Sequence, residues 1–376
     1  AEINLRDNDI VNMKMAEIAD SPVILVVDIE RGGAFAWIVG TLELLERSER
    51  ERVCGVIINK FRGDLEILKP GIKMLEEKIN KPVLGVMPYF NDIKIDDEDS
   101  VCLEGYDGKT YDLCDTSAGK FITIAVIRLP RISNFTDFDI LRRERGVQVR
   151  FVDSARSLGK PDLIILPGTK NTIGDLKFLK ENGIAEMIRN LEQKGTMVIG
   201  ICGGYQMLGR EIKDPNNEES SLAYISGLGM LDVVTNFMPE KNTFQVKARL
   251  YKGNIFHIEG SVTGYEIHMG ETKLLQGASP FSRIIERSGR KVEFSESNNC
   301  LDAGLDDGAV SGDGNVMGTY IHGIFDNDEF RLGLINCLRR KKDLPPLSAD
   351  ELTIAHSEKE MHYNKLADLT RKHVNM

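Results

Sequence analysis

The chain has 376 residues, 41 % hydrophobic and 28 % charged, with a formal net charge of −10. At about 150 residues per domain this length suggests two or three domains, and the composition excludes a disordered chain, a fibrous repeat and a disulfide miniprotein. The acidic balance argues against nucleic acid or an anionic membrane as the main partner, while leaving room for local basic sites that hold small anions.

The opening, Ala1 to Asp7, has neither the basic nor the apolar stretch of an export signal. The longest apolar run, Pro22 to Val27, is far shorter than the roughly 20 residues that span a bilayer. Six scattered cysteines without CxxC spacing read as reduced thiols of a cytoplasmic protein. The chain begins at Ala1 rather than Met, which suggests sequence upstream.

In chain order, Pro22–Asp28 is a continuous apolar run ending in an acid, which fits a strand buried on both faces. A helix over 34–47, a strand at Val53–Asn59, a helix over 65–79 and a strand at Pro82–Met87 follow, the rhythm of a parallel α/β sheet. Ligands on such sheets sit beyond the carboxyl ends of the strands. The segments to watch are therefore Asp28-Ile29-Glu30-Arg31-Gly32-Gly33 and Asn59-Lys60-Phe61-Arg62-Gly63-Asp64. Residues 91–120 are strongly acidic and read as an interdomain connection.

A second α/β pattern begins at Phe121. Strands are predicted at Phe121–Leu129, Val147–Val152, Asp162–Leu166 and Thr196–Ile201, and helices over 136–145, 171–182, 184–194 and 204–211. From 222 to 321 the segments are shorter and β-like: Gln245–Leu250, Gly260–His268, Lys291–Phe294 and Gly314–Ile321. A helix over 328–341 ends in basic residues that suit its macrodipole, and 348–373 reads as a further polar helix.

Gly200-Ile201-Cys202-Gly203-Gly204 follows an apolar strand and opens a helix. This is the cysteine form of a nucleophile elbow: glycines permit the tight turn, and the helix N-terminus favours a thiolate. A lone cysteine is more often structural, but the strand–elbow–helix context favours a nucleophile. A cysteine nucleophile needs a base. Among six histidines, His322 at the end of Tyr320-Ile321-His322-Gly323 is the first candidate and His268 in Gly264-Tyr265-Glu266-Ile267-His268-Met269-Gly270 the second.

Cys202 in Gly-Ile-Cys-Gly-Gly-Tyr-Gln-Met-Leu-Gly (200–209), with Tyr-Ile-His-Gly-Ile-Phe-Asp at 320–326, resembles a class I glutamine amidotransferase domain. More narrowly, the chain resembles the cobyric acid synthase branch of the cobalamin pathway. That match rests on Glu2-Ile3-Asn4-Leu5, Asp28 to Phe35, Ile58 to Asp64, Leu166-Pro167-Gly168-Thr169-Lys170 and Gly264 to Gly270, in this order and out to about residue 340.

The resemblance implies a fold: a truncated dethiobiotin-synthetase-like, P-loop-type parallel-sheet domain over 1–115, a flavodoxin-like amidotransferase α/β domain over 121–326, and a helical extension over 327–376. It implies that L-glutamine is hydrolysed by Cys202 through a glutamyl thioester, with His322 as base and acid. Gly203 and Gly168 would form the oxyanion hole, and Gln206, Thr169 and His268 would line the glutamine site. The ammonia would amidate carboxylates of adenosylcobyrinic acid a,c-diamide that ATP and Mg²⁺ activate as acyl phosphates. Asp28, Arg31, Gly32, Gly33, Asn59, Lys60, Arg62 and Asp64 would face nucleotide or acceptor, although each can also be read as a surface turn. No metal site is assigned within this chain.

Two departures stand out. Most class I amidotransferases carry His-x-Glu, whereas here the tripeptide is His322-Gly323-Ile324; this lack also resembles the cobyric acid synthase branch and implies a Cys–His dyad, with Asp326 as the less favoured substitute. The phosphate loop G-x-x-x-x-G-K-[ST] is missing: Gly108-Lys109-Thr110 has Leu103 where its first glycine belongs. The chain is therefore expected to be N-terminally truncated and to keep only the glutaminase half. Alternatives are a stand-alone cysteine amidohydrolase and an inactive scaffold.

Overall fold

The structure is a computed structural model that describes residues 4, 10–93, 95, 121–252, 256, 258–292, 305–352 and 355–375. The acidic stretch 96–120, Gly108-Lys109-Thr110 within it, and His257 lie outside the described residues. Contacts divide the chain into one unit of residues 1–95 with 357–376 and a second of residues 96–356.

The first unit runs α1 (Asn12–Ile18), β1 (Val23–Asp28), α2 (Ala34–Leu44), α3 (Arg47–Arg52), β2 (Val53–Phe61), α4 (Leu65–Ile79) and β3 (Val83–Pro88). The three strands form a parallel sheet in the order β1-β2-β3, with Asp28 aligned on Asn59 at its carboxyl end. Ile38 and Leu42 of α2 join Val27, Val56, Ile58 and Leu75 in its core. The helix predicted over 34–47 breaks after Leu44 because Glu46 and Glu49 close a reciprocal capping box that starts α3. The expected burial of β1 on both faces does not hold: Ile24 is 37 % and Val26 56 % exposed. Val27, facing the other way, packs in the core beneath α2.

The second unit holds two sheets. Its first half runs β4 (Ile122–Ile127), α5 (Asp139–Arg143), β5 (Val147–Val152), α6 (Ala155–Leu158), β6 (Leu163–Leu166), α7 (Thr172–Glu181), α8 (Ile184–Glu192), β7 (Met197–Ile201) and α9 (Gly203–Leu208). A 3-10 turn at Phe135–Phe138 occupies the start of the helix predicted over 136–145. Its second half runs β8 (Glu211–Lys213), β9 (Tyr224–Ser226), β10 (Val233–Leu250), β11 (Ser261–Leu274), β12 (Ala278–Ser279), β13 (Ser282–Arg287), β14 (Arg290–Lys291), β15 (Asp306–Asp307), β16 (Ala309–Ser311), β17 (Val316–Thr319), β18 (Ile321–His322) and α10 (Asp328–Lys341).

One sheet has the order β12-β16-β17-β7-β6-β4-β5, parallel from β17 to β5. Its strands β4, β6 and β7 are apolar on both faces, as strands covered on both sides must be. The other sheet is mostly antiparallel, along β14-β13-β10-β11-β18. The chain passes from one sheet to the other between β17 and β18, so His322 is delivered by the second sheet and Cys202 by the first.

Most of the last helix, α11 (Ala355–His373), clusters with the first unit, whereas α10 belongs to the second. Val374 bridges Gly85, and Asn375 donates its N–H to the Leu84 carbonyl at 2.8 Å. No helix among the described residues is long and apolar enough to cross a membrane.

The segment after His322 is fixed by a fully buried arginine. Arg331 donates to Glu144 at 2.6 Å, to the Phe325 carbonyl at 2.8 Å and to Asp328 at 2.7 Å. Glu144 is itself fully buried. Breaking such a pair from one side is expected to cost about 3–5 kcal/mol. Arg331→Met should lower the unfolding free energy by that order in urea denaturation, and a change under about 1 kcal/mol would count against the pair as an anchor.

Candidate active site

Cys202 ends β7 and caps α9 with φ 51° and ψ −111°, a backbone conformation that costs a side-chain-bearing residue about 1–3 kcal/mol. The glycines around it have a direct steric reason. A methyl group at Gly204 would run into the Leu166 carbonyl, and one at Gly200 would lie 2.7 Å from the Gly204 carbonyl oxygen. The strand and helix thus meet backbone to backbone, and the cysteine takes up the sharp turn between them. Gly203 is the first residue of α9, so its N–H has no intrahelical acceptor.

The remaining pieces converge on this elbow. A methyl group at Gly168 would be 3.1 Å from His322 Cε1 and 3.7 Å from Cys202 Cβ, which places the Pro167-Gly168-Thr169 turn against both. One at Gly203 would be 3.3 Å from the Thr169 amide nitrogen and 3.2 Å from Thr172 Oγ1. The Cys202 thiol donates to the Ile267 carbonyl of β11 at 3.3 Å. Cys202 is 8 % and His322 2 % exposed, so the pair is nearly closed off from water.

His322 lies against Tyr265, stacked at 5.2 Å between ring centroids and 18° between planes. Its Nδ1 is 2.7 Å from Asp137 Oδ2, and Asp137 Oδ1 accepts the Gly323 N–H at 3.2 Å. Burial disfavours the charged ring, but the hydrogen bond to Asp137, the contact with Cys202 and the Asp137 charge outweigh it and raise His322 from 6.5 to about 10. The carboxylate on His322 Nδ1 is therefore Asp137, in place of the carboxylate-free dyad expected from the sequence and of its less favoured substitute Asp326. Asp137 lies in Asn134-Phe135-Thr136-Asp137-Phe138, at the start of the helix predicted over 136–145, where an acid is an ordinary first-turn residue. Only the folded chain shows its partner.

Gln206 is 2 % exposed, and both ends of its amide are engaged: Nε2 donates to Tyr320 Oη at 3.1 Å and Oε1 accepts from Thr172 at 3.2 Å. A methyl group at Gly270 would collide with its Nε2. Thr169 turns its methyl toward Gly203 of the elbow, where an added Cβ would lie 2.8 Å from it, while its hydroxyl donates to Asp175 at 2.5 Å. His268 stacks on Tyr320 with centroids 3.8 Å apart, and its Nδ1 is 2.8 Å from the Gly270 carbonyl. Burial is the main cause that lowers His268 to about 4, so the ring is neutral near pH 7. Beside it, burial raises Glu266 to about 7, with Asp307 adding to the shift and Arg287 opposing it.

The remaining candidates lie in the first unit. Lys60, at φ 59°, pairs with Asp28 at 2.8 Å. Arg62 pairs with Glu30 at 2.9 Å and lies 3.2 Å over the Tyr89 ring. Asp64 caps α4 by accepting the Glu66 N–H at 2.9 Å, and the Asn59 carbonyl accepts the Ile29 N–H at 3.1 Å. Gly32 and Gly33 both have positive φ in the exposed turn that also carries Arg31.

The second unit matches the model of the CobB/CobQ-like glutamine amidotransferase domain over residues 123–330, and residues 4–95 match that of an AAA domain. A cobyric acid synthase of Desulforamulus reducens is 50 % identical over 379 residues, covering all of this chain and 70 % of that protein. A cobyric acid synthase of Alkaliphilus metalliredigens is 50 % identical over 382 residues, covering all of this chain and 72 % of its own length. The chain belongs to the cobyric acid synthase family. It is an enzyme of the glutamine amidotransferase and ligase type. Among solved structures, a glutamine amidotransferase aligns with a TM-score of 0.40 at 16 % identity, over 59 % of this chain and 99 % of that one.

The raised His322 sets a sign for pH dependence in this family member. Its folded-state value lies above the unfolded value of about 6.5, so its contribution to stability is complete below that pH and is lost as pH rises through about 10. Urea denaturation of wild type and His322→Gln across this window should show their difference changing in that direction. A difference independent of pH would contradict the assigned environment of the ring.

Proposed function

We propose that this chain carries out the glutamine-hydrolysing half of an amidation in cobalamin biosynthesis. The observation that carries the reading is the strained elbow at Cys202 with His322 beside it, inside a domain of the CobB/CobQ-like amidotransferase type.

In this reading the thiol proton already rests on His322, which the Asp137 contact keeps protonated near neutral pH, and Cys202 Sγ attacks the side-chain carbonyl of L-glutamine. The carbonyl oxygen becomes an oxyanion, held by the N–H groups of Gly203 and Gly168. His322 then gives its proton to the departing nitrogen, ammonia leaves, and a glutamyl thioester remains on Cys202. Water, activated by the same ring, splits the thioester into glutamate and free thiol. Gln206, Thr169 and His268 line the glutamine site, with Gln206 held by Thr172 and Tyr320 so that the wall does not shift.

The acceptor in this proposal is a corrinoid, adenosylcobyrinic acid a,c-diamide, whose peripheral carboxylates become amides. The family and the AAA-domain match support the use of ATP, with Mg²⁺, by the first unit. When bound, ATP would supply the phosphoryl group that turns the carboxylate into an acyl phosphate, from which ammonia would displace phosphate to leave the amide. At the strand ends of that unit Lys60 pairs with Asp28 and Arg62 with Glu30, both pairs partly exposed and therefore weak enough to be exchanged for a phosphate.

The test is glutamine hydrolysis by the purified chain with and without ATP. Cys202→Ser should lower it by about 10³-fold or more while leaving the melting temperature in place. A glutamine analogue with an electrophilic carbon should modify the peptide that carries Cys202. Hydrolysis that survives in Cys202→Ser, or modification at another residue, would overturn the assignment.

A further inference from the structure

His322 is held by its own strand only through its backbone. The tripeptide His322-Gly323-Ile324 offers no carboxylate, and Gly323 turns the chain away at φ 71°. An imidazole placed this way can carry its proton on either nitrogen.

Asp137 removes that freedom. It comes from a turn 185 residues upstream in the chain, beyond the end of β4. One carboxylate oxygen takes the ring Nδ1 at 2.7 Å, and the other takes the Gly323 N–H at 3.2 Å. The carboxylate thus grips the ring and the backbone of the next residue together, fixing the ring plane relative to its strand. Asp137 is 7 % exposed, so water competes little for either bond.

The turn that carries Asp137 is itself anchored. Phe138 is fully buried, 6.1 Å from Phe325, and Phe135 is 8 % exposed. Asn134, left-handed at φ 52°, donates to the Tyr265 hydroxyl at 2.8 Å, and Tyr265 stacks on His322. The phenylalanines and Asn134 bring the turn to the same place from two directions.

We infer that Asp137 is the positioning residue of the Cys202–His322 pair, supplied from a distant turn in place of the carboxylate that the histidine's own loop lacks. This rests on the reading of His322 as the base. With Nδ1–H given to Asp137, Nε2 is the atom left for Cys202. A proton taken from Sγ rests on Nε2, and the Asp137 charge stabilises the resulting imidazolium until the proton passes to the departing nitrogen, which leaves as ammonia. Of the groups around the ring, His268 is neutral near pH 7 and burial holds the Tyr265 hydroxyl above its ordinary value. Cys202 is the reacting group, and the Asp326 charge acts on Tyr265. Asp137 is the anion bonded to the ring.

The test compares Asp137→Asn, Asp137→Glu and Asp326→Asn for glutamine hydrolysis and for alkylation of Cys202 by iodoacetamide between pH 6 and about 10.5, a window that spans the ordinary His value and the raised His322. Asp137→Asn should lower kcat by roughly 10²–10⁴-fold with KM changed less than about threefold, because the amide favours the wrong tautomer. Its alkylation profile should also shift along the pH axis, which a purely structural role would not cause. Asp137→Glu should recover at least about tenfold over Asn, and Asp326→Asn should stay within about threefold of wild type.

Retained kcat in Asp137→Asn, an unmoved alkylation profile, or the main loss falling on Asp326→Asn would each overturn the inference. The alkylation arm reads the ring even if glutamine is not the substrate, which separates this inference from the glutaminase reading. If Asp137→Asn does not fold, nuclear magnetic resonance of the wild type decides. A strongly downfield Nδ1 proton that disappears in His322→Gln supports the inference, and its absence refutes it.

Discussion

The second unit is organised around the turn at Cys202, one that a residue with a side chain does not readily make. The strand must end, reverse its hydrogen-bonding direction and start a helix within one residue, at φ 51°. Relaxing this strain would draw the thiol back toward the strand. The backbone contacts at Gly200 and Gly204 prevent that, because α9 is packed onto β7 and β6 without intervening side chains. The parallel sheet therefore acts as a rigid platform for one sulfur atom. The antiparallel sheet covers that sulfur with β11 and brings in His322 on β18, with the Ile267 carbonyl accepting the resting thiol.

Water is largely kept from this centre, and the polar groups behind it are arranged accordingly. Gln206, Tyr320, Thr272 and Thr235 form a chain of hydrogen bonds from α9 into the second sheet. Asp307 is buried but accepts from Thr319 at 2.5 Å and from the Tyr320 N–H at 2.9 Å, which hold the strand just before His322. Burial still raises Asp307 to about 6, so this support is close to its own titration under neutral conditions. Such a network fixes geometry more than it adds stability, since satisfied buried polar groups roughly offset their desolvation.

Much of this was legible in the sequence, for physical reasons that differ by element. The elbow was readable because glycine at both flanks of a cysteine, after an apolar strand, has few other uses. His322 was readable from its place at a strand end. Asp137 was not, because its partner lies 185 residues away and an acid at the start of a predicted helix carries no local mark of burial. The two-sided burial expected for β1 failed because an apolar run shows that a strand can be covered, not that it is: Ile24 and Val26 remain exposed among the described residues. The full length of β10 was hidden by the polar stretch after Phe237, where its pairing with β11 slips between Phe237 and Asn242.

Hydrolysis by the proposed route requires Cys202 to form a covalent bond to the glutamine carbonyl. Rapid acid quenching of the chain during turnover with isotopically labelled glutamine, followed by peptide mass spectrometry, tests it directly. A glutamyl adduct is expected on the peptide spanning Gly200–Leu208, accumulating and decaying with hydrolysis. Turnover of glutamine with no adduct at any quench time, or with the adduct on another peptide, would contradict it.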